Sequence, residues 1–302
     1  MKKLKQWCLS AGNSLTLLLI NSKRKDETSE TLRNEIVFEK ENIKLISVHN
    51  STHLKPLNDE AFGHYLAGLI DGNGHFSSKQ QLIIVFNSAD VSLAYFIKKI
   101  LGQGHVKKVK NKNAYIYIIS NKDGIIKMIN LINGKLRTVN KYNQVINNIF
   151  THSAYISLKE SLTFKVNSTN DLQNFWIAGF SDADASFQIK VLNRNNRSKP
   201  EIRLNYQIDQ KNNYFLLLIK DFFGGNIGYR KSQNTYYYGS TSFGSAKKVI
   251  NYFDTFHLQS SKYINYLKWR KAYILIQNKE HLTDLGIKKI IKLKNSMNKN
   301  TI

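Results

Sequence analysis

The same short pattern occurs twice in this chain, and that repeat constrains the fold more than any other feature. Residues 65–76 and 176–187 align without gaps at an offset of 111 positions. Further identities continue at an offset of 121: Gly104 with Gly225, Tyr115 with Tyr236, Tyr117 with Tyr238, Asn130 with Asn251, Lys141 with Lys262 and Tyr142 with Tyr263. A sustained offset of this size indicates two copies of one supersecondary unit.

The increase in offset from 111 to 121 places ten extra residues after the second copy of the pattern. They fall around residues 193–199, a polar run that predicts a long hairpin loop. We therefore divide the chain into a basic, partly disordered leader at 1–57, a first repeat at 58–155, a linker at 156–169 and a second repeat at 170–302.

The spacing of apolar residues predicts an α+β fold with the order α-β-β-α-β-β-α in each repeat. Predicted helices are Asn58–Asp71, Ser92–Leu101, Asp123–Leu131, Asn170–Asp182, Tyr214–Phe223 and Ser245–Phe253. Predicted strands are Gln81–Phe86, Ala114–Ser120, Ile202–Asp209 and Thr235–Thr241. Thr169 or Asn170 is the expected N-cap of the helix that contains the second copy of the pattern.

The repeated pattern is apolar on most sides and has a glycine at the same place in each copy, Gly68 and Gly179. Small residues allow two helix backbones to approach closely. We therefore expect the two copies to form a pair of helices packed on each other about a pseudo-two-fold axis. A glycine-containing helix in an ordinary core would explain the apolar letters, but it would not explain the repetition.

The charge of the chain points to a polyanionic partner. Lys and Arg number 45 against 21 Asp and Glu, which gives a formal net charge of +24. Such self-repulsion favours nucleic acid as the partner, and the lack of a long basic amphipathic helix disfavours an anionic membrane.

The single Cys8 cannot form an internal disulfide or a zinc site and fits a reducing compartment. The apolar run Leu17–Ile20 is too short to span a bilayer.

Leu66–Gly74 and Ile177–Ala185 both resemble the LAGLIDADG signature of homing endonucleases and intron maturases. The resemblance to the single-chain form with two motifs covers roughly Asn58–Asn298, and the tail Lys279–Ile287 resembles the C-terminal segment of fungal mitochondrial members. It implies antiparallel, saddle-shaped sheets with the motif helices packed at the interface between the repeats. It also implies a mitochondrial location, and since one chain already contains both motifs, we expect a monomer.

The resemblance implies that the eighth letter of each motif supplies a carboxylate to Mg²⁺, for which Mn²⁺ substitutes. The second motif has Asp184 at this place, with the carbonyl of Ala183 beside it, whereas the first motif has Asn73 and Gly72. A neutral amide attracts a hard cation less than a carboxylate does. Our hypothesis is that Asn73 impairs one of two metal sites, so that the protein nicks one strand, cuts poorly or does not cut.

Two further pairs of residues repeat in both halves. The sixth letters of the motifs, Asp71 and Asp182, are expected to make structural hydrogen bonds near the helix ends. Lys141 and Lys262 resemble the paired central lysines of the family, which approach the active-site solvent and the phosphate. A solvated surface lysine is the alternative for either one, and the pairing in both repeats favours the functional interpretation.

One residue outside the motifs also resembles a functional residue of the family. Gln210, at the end of a predicted strand, resembles a glutamine that helps to order active-site water. We expect its counterpart in the first repeat at Ser88 or Ala89, which departs from the family pattern.

The strands are the expected DNA-reading surface, since a two-stranded ribbon fits the major groove of a duplex. Candidate contacts in the first repeat are Ser78, Lys79, Gln81, Lys107, Lys108, Lys110 and Lys112. Candidate contacts in the second repeat are Gln188, Lys190, Arg194, Arg197, Arg203, Asn205 and Gln207. Arg and Gln suit contacts to base edges, whereas lysines more often contact phosphates.

Three classes of function compete for this sequence. A site-specific DNA endonuclease would cut double-stranded DNA at a long, asymmetric site, since the two halves have diverged. An RNA maturase would assist splicing of its host intron and needs no metal chemistry. A plain DNA-binding regulator would have lost both acids, and the retention of Asp184 argues against it. We expect the endonuclease, with the maturase as the alternative.

The acids between Asp26 and Glu41 make the leader a poor transit peptide.

Overall fold

The computed structural model describes residues 45–194 and 198–297. Within them, the chain from Ile46 onward belongs to one structural unit. The predicted leader up to residue 44 and the predicted DNA contact Arg197 lie outside the described residues. In the described part of the chain, no helix combines the length and apolar character that a bilayer crossing requires.

The first repeat follows the predicted order of elements and adds one helix at its end. It comprises helix α1 Asp59–Asn73, strands β1 Gly74–Ser77 and β2 Gln81–Asn87, helix α2 Val91–Leu101, strands β3 His105–Lys108 and β4 Ala114–Ile119, and helices α3 Lys122–Ile132 and α4 Val139–Asn148. Asn58 caps α1, because its side-chain oxygen accepts the backbone N–H of Ala61 at 2.7 Å.

The second repeat also follows the predicted order of elements, and two helices are added at its end. It comprises helix α6 Trp176–Asp184, strands β5 Ala185–Leu192 and β6 Glu201–Gln210, helix α7 Tyr214–Phe223, strands β7 Asn226–Arg230 and β8 Thr235–Gly239, and helices α8 Phe243–Phe253, α9 Lys262–Gln277 and α10 Asp284–Ser296. Helix α5, Ile156–Ser161, lies within the predicted linker, which is therefore partly helical rather than an irregular connection.

Each repeat contains one four-stranded antiparallel sheet. The strand orders are β1-β2-β4-β3 and β5-β6-β8-β7, so the two sheets have identical topology. In β2, Leu82, Ile84 and Phe86 are at most 5% exposed, whereas the residues between them are partly or fully exposed. This alternation means that the first sheet buries one face under its helices and leaves the other open, and β5 of the second sheet shows the same alternation from Ala185 to Lys190. The α+β architecture predicted from the sequence is confirmed.

The motif helices α1 and α6 cross at the two predicted glycines. A Cβ atom on Gly68 would overlap the carbonyl oxygen of Trp176, and one on Gly179 would overlap the carbonyl oxygen of Tyr65. The backbones therefore approach so closely that each helix needs a residue without a side chain at this point. This reciprocal contact joins the two repeats at the centre of the molecule.

Helix α6 begins at Trp176, six residues later than predicted, and neither Thr169 nor Asn170 caps it. The guanidinium of Arg137 donates to the carbonyl oxygens of Thr169 and Asp171. Those bonds hold the preceding segment against the first repeat in a non-helical conformation. The prediction of an earlier start was wrong because these partners lie more than thirty residues away in sequence.

Residues 46–57, which the sequence assigned to the partly disordered leader, make specific hydrogen bonds with the second repeat. The backbone N–H of Ile46 donates to Gln277 Oε1 at 2.9 Å, and the N–H of Leu54 donates to His257 Nδ1 at 2.8 Å. The hydroxyl of Ser51 also donates to the carbonyl of Asp254 at 3.0 Å. This segment therefore runs along the second repeat before the chain enters α1.

The hairpin of the second repeat is longer than its counterpart by more than the sequence alignment suggests. Gly74 pairs with Ile84, and the equivalent Ala185 pairs with Ile208. The offset between the repeats therefore rises from 111 to 124 across the hairpin, and it returns to 121 before β8, where Tyr238 is equivalent to Tyr117.

This register corrects the predicted counterpart of Gln210. Phe86 pairs with Tyr115, and Gln210 pairs with the equivalent Tyr236. The residue that corresponds to Gln210 is therefore Phe86, which is 5% exposed. Ser88 and Ala89 lie in the 3₁₀ turn that follows β2, so the prediction that placed the counterpart there was wrong.

Candidate active site and nucleic-acid interface

The C-terminal ends of the two motif helices meet at the centre of the molecule. A Cβ atom on Gly72 would overlap the Cβ atom of Ala183, so the two helix ends are in van der Waals contact. The next residues, Asn73 and Asp184, are the last residues of α1 and α6. Asp184 is exposed and Asn73 is half-buried, and carbonyl groups at both helix ends carry the partial negative charge that attracts cations.

Asp184 is held by a glutamine and lies near a lysine of its own repeat. Gln210 Nε2 donates to Asp184 Oδ2 at 2.6 Å. Lys262 Nζ donates to the carbonyl oxygens of Ser181 at 3.0 Å and Ala183 at 2.9 Å. Partial desolvation at the helix end raises the pKa of Asp184, while the hydrogen bond from Gln210 and the charge of Lys262 oppose that rise. Three residues that were predicted separately from the sequence, Asp184, Gln210 and Lys262, therefore lie together at the end of α6.

The equivalent place in the first repeat is chemically different. Asn73 Nδ2 donates to the carbonyl oxygen of Val85 at a long 3.5 Å. Lys141 Nζ donates to the carbonyl oxygen of Gly74 at 2.6 Å, so a lysine lies at the helix end here as well. The glutamine of the second repeat is replaced by Phe86 and the neighbouring acid Asp209 is replaced by Val85, as the strand registers require.

Both lysines are partly desolvated. Burial lowers the pKa of Lys262, and the charges of Asp182 and Asp184 oppose that shift. Burial also lowers the pKa of Lys141, opposed by Asp71 and by Asp184 of the other repeat. The two ammonium groups therefore lie within electrostatic reach of the same carboxylate.

The sixth letters of the motifs are buried in reciprocal hydrogen bonds between the helices. The indole Nε1 of Trp176 donates to Asp71 Oδ2 at 2.9 Å, and the hydroxyl of Tyr65 donates to Asp182 Oδ2 at 2.7 Å. Asp71 also accepts the backbone N–H of Arg137 at 2.8 Å. Burial raises the pKa of Asp71 to about 6 and also raises the pKa of Asp182. These acids hold the helix pair together and do not face the open side of the site.

The donors at the end of α6 fit one hard cation. The described residues contain no cluster of three or more His, Cys, Asp or Glu side chains placed to hold a metal. A cation here would therefore depend on the single carboxylate of Asp184, a backbone carbonyl such as that of Ala183, and oxygens from phosphate and water. That oxygen-only set suits Mg²⁺, which keeps several waters and takes one or two protein carboxylates.

The open face of the second sheet carries a continuous polar row. On β6 the row consists of the alternating residues Glu201, Arg203, Asn205, Gln207 and Asp209. Gln188 on β5 contacts the row, since its Oε1 accepts from Asn205 Nδ2 at 3.4 Å. Asn205 and Gln207 are only 3% and 9% exposed. Their side chains are therefore largely covered by their neighbours, and direct DNA contact by either residue stays a prediction.

The remaining predicted contacts of the second repeat are at the surface. Lys190 lies exposed beside Arg203 on the open face. Glu201 accepts from Arg194 Nε at 3.0 Å and forms an ion pair with Arg203 at 2.5 Å, which places both guanidinium groups near the hairpin. Arg230, which no sequence pattern singled out, pairs with Asp209 at 3.0 Å on the same face. Its position in a short edge strand gave no signal by itself.

The predicted contacts of the first repeat divide into two groups. Gln81 and Lys107 point to the open face of the first sheet. The others lie in turns or on the opposite side of a strand: Ser78 and Lys79 in the β1–β2 turn, Lys110 and Lys112 in the β3–β4 turn, and Lys108 on the alternate side of β3. Such turn lysines are placed at the ends of the sheet, where a phosphate backbone would pass.

The sequence profile of the LAGLIDADG endonuclease family matches two stretches of the chain, residues 66–152 and 177–273. The first match begins in α1 and the second begins in α6, so each match corresponds to one structural repeat. Together they cover more than half of the chain.

Proteins of fungal introns are similar to most of this chain. The uncharacterized cox1 intron-2 37.2 kDa protein of Schizosaccharomyces pombe is 62% identical over 97% of this chain and 85% of its own length. The intron-encoded DNA endonuclease aI3 of Saccharomyces cerevisiae is 29% identical over 81% of this chain and 71% of its own length. The probable intron-encoded endonuclease 4 of Neurospora crassa is 27% identical over 80% of this chain, which spans 45% of that protein's length.

Solved meganuclease structures share the fold. I-SmaMI bound to uncleaveable DNA with a TTGT central four superposes with a TM-score of 0.64 at 22% identity, covering 78% of this chain and 99% of that one. I-LtrWI bound to target DNA superposes with a TM-score of 0.64 at 21% identity, covering 81% of this chain and 100% of that one. At these sequence identities the similarity shows a shared fold, in which two repeats surround a central pair of helices.

Proposed function

The chain belongs to the LAGLIDADG endonuclease family, and we propose that it is an intron-encoded endonuclease that hydrolyses double-stranded DNA at a long, asymmetric site. The names of intron-encoded relatives support this activity. The DNA in the meganuclease structures of the same fold supports the substrate. The asymmetry of the site follows from the different side chains on the open faces of the two sheets.

One observation carries the finer proposal that the enzyme nicks one strand. Three positions around the helix ends differ between the repeats: Asp184, Asp209 and Gln210 of the second are replaced in the first by Asn73, Val85 and Phe86, which removes both carboxylates. A single substitution could be offset by a neighbouring acid, but here the neighbour is lost too. The second repeat therefore holds the competent centre.

Within that centre, Asp184 and the carbonyl of Ala183 would hold Mg²⁺, and Mn²⁺ would substitute for it. When bound, such an ion supplies a Lewis acid for phosphate and water oxygens. Gln210 orients the carboxylate through its 2.6 Å hydrogen bond, which also favours the ionised form. Lys262 places an ammonium group at the same helix end, where it favours the approach of a phosphate.

Lys141 performs the equivalent electrostatic task on the other side of the axis. Its ammonium group is fixed to the carbonyl of Gly74 at 2.6 Å, beside Asn73. Without an acid at that place, it would neutralise charge on the uncut strand rather than support hydrolysis. The first centre is thus a binding site for the backbone.

Cleavage of a supercoiled plasmid that carries the intronless host gene tests the proposal. The wild type with Mg²⁺ should convert supercoiled plasmid to nicked circles, and Asp184→Asn should lower that rate by at least a hundredfold. Asn73→Asp should add linear product, because it restores a carboxylate at the first centre. If the wild type yields linear DNA as fast as Asn73→Asp does, the nicking proposal is wrong, although the endonuclease assignment stands.

The location, oligomeric state and partners of the protein belong to the same proposal. The protein acts in mitochondria, which the cox1 intron of the fungal relative supports. It acts as a monomer, since one chain already contains both motif helices. Double-stranded DNA is the partner, and we propose no membrane partner. The maturase alternative, with host intron RNA as partner, has less support because the named relatives are endonucleases.

A further inference from the structure

We propose that the first repeat reads its half of the DNA site through apolar contacts with thymine methyl groups, for which the second repeat has no equivalent surface. This inference rests on the proposed function, because it concerns how the same protein selects its target. It arises from the open face of the first sheet, which differs in kind from the open face of the second.

The centre of the open face of the first sheet is aliphatic. Ile83 lies opposite Ile118 on the neighbouring strand, and Val85 lies opposite Ile116. Val85 is 46% exposed and the three isoleucines are partly exposed, while most of the alternating residues of the two strands are buried in the core. We call these four residues the aliphatic patch.

Polar side chains surround the aliphatic patch. His75 lies opposite Ile83 on one side, and His105 and Lys107 lie opposite Ile118 and Ile116 on the other. His75, His105 and Lys107 are all exposed. An apolar centre within such a rim is typical of a binding surface rather than of ordinary exposed sheet.

The equivalent positions in the second repeat are polar or lack a side chain. The registers match Ile83 and Val85 with Gln207 and Asp209, and they match Ile116 and Ile118 with Tyr237 and Gly239. The two open faces are related by the pseudo-two-fold axis, so a duplex that runs along one would run along the other. The chemistry of recognition therefore changes at the centre of the site.

The occupant of the aliphatic patch is identified by charge and by groove chemistry. The chain carries a net charge of +24, and the lysine of the rim together with the turn lysines would attract a polyanion. In the major groove of DNA, the apolar group on a base edge is the C5-methyl of thymine. Four branched aliphatic side chains cannot hydrogen-bond to a base, but they can bury methyl groups.

The test replaces thymine by deoxyuridine, which removes the methyl group and retains every hydrogen-bonding atom. The probe is a duplex selected by the wild-type protein from a randomised DNA library, and its two half-sites are substituted separately. Each buried methyl that is lost should weaken binding about threefold to fivefold. We expect this weakening for one half-site and a change of less than twofold for the other.

The variant Val85→Thr/Ile116→Thr identifies which half-site is involved. Threonine retains a branched side chain that suits a strand, and both positions face solvent, so the fold should survive. The double variant should bind the thymine duplex more weakly and lose its sensitivity to deoxyuridine in the affected half-site. The matched control Lys190→Gln, on the second sheet, should weaken binding while retaining that sensitivity.

Several outcomes would overturn the inference. One is specific binding that deoxyuridine does not weaken in either half-site, and another is equal weakening in both. If the aliphatic patch instead binds a second copy of this chain, the double variant would change the sedimentation coefficient and leave the deoxyuridine response unaltered. A protein that selects no sequence at all would overturn the proposed function itself, and the inference with it.

Discussion

Asn73 and Asp184 end two helices that pack on each other, and a lysine lies at each helix end, yet the groups that contact the two side chains differ. Asp184 has Gln210 at 2.6 Å and is close enough to Asp209 for that charge to affect its pKa. Asn73 has the backbone of Val85 at 3.5 Å. A cation that prefers carboxylate oxygens should therefore distinguish the two helix ends.

The pKa of Asp184 leads to a prediction about pH. Partial desolvation raises this pKa above its ordinary value of 3.8, and the carboxylate must be ionised to hold a cation. Cleavage should therefore fall as the pH decreases through the raised pKa, with full activity above it. A pH–rate profile measures this acidic limb.

Gln210→Ala provides the control for that profile. Its hydrogen bond stabilises the ionised carboxylate, so its removal should move the acidic limb to higher pH. An acidic limb at the same pH in both proteins would show that Asp184 does not govern the profile.

At the scale of elements, the helix pair α1 and α6 depends on two glycines. Substitution of Gly179 by alanine would force a methyl group into the carbonyl oxygen of Tyr65. Since backbone cannot move aside as a flexible side chain can, we expect a loss of about 2–4 kcal/mol in the free energy of unfolding. Urea denaturation followed by circular dichroism measures it.

Gly244→Ala is the matched control, because a Cβ atom there meets no neighbour within 4 Å and the residue lies in helix α8. Alanine should be neutral or should stabilise the protein by up to about 1 kcal/mol. Equal effects of the two substitutions would contradict the close packing of the motif helices.

Much of the element order could be predicted from the sequence, because the spacing of apolar residues indicates each helix or strand and the repeat shows that the order occurs twice. The register of the hairpins could not be predicted, since the sequence does not show where a polar loop ends and a paired strand begins. Phe86 therefore took the place that Ser88 or Ala89 was expected to hold. The aliphatic patch could not be predicted either, because partly exposed Ile83 and buried Ile84 are the same residue type in adjacent strand positions.

At the scale of the whole molecule, two repeats with one topology present different chemistry on their open faces and at their helix ends. The net charge of +24 acts over both halves and carries no sequence information by itself. It would raise affinity for any duplex, whereas the proposal assigns the preference for one DNA sequence to the sheets.

DNA affinity should therefore depend strongly on salt. If the protein neutralises on the order of six phosphates, affinity should fall about a thousandfold between roughly 50 and 200 mM salt. Fluorescence anisotropy with a labelled duplex measures the slope. The variant Lys79→Gln/Lys110→Gln removes two turn lysines and should reduce the magnitude of that slope by about 2. A slope near zero would contradict electrostatic binding.

The most direct test of the central claim follows both strands of one target. A duplex that contains the cleavage site, with a different fluorophore on each strand, is incubated with wild-type protein and Mg²⁺ and separated on a denaturing gel. A single competent centre at Asp184 predicts that one labelled strand is cut while the other remains intact. Equal cleavage rates for the two strands would contradict it, because the helix end that carries Asn73 would then be as active as the one that carries Asp184.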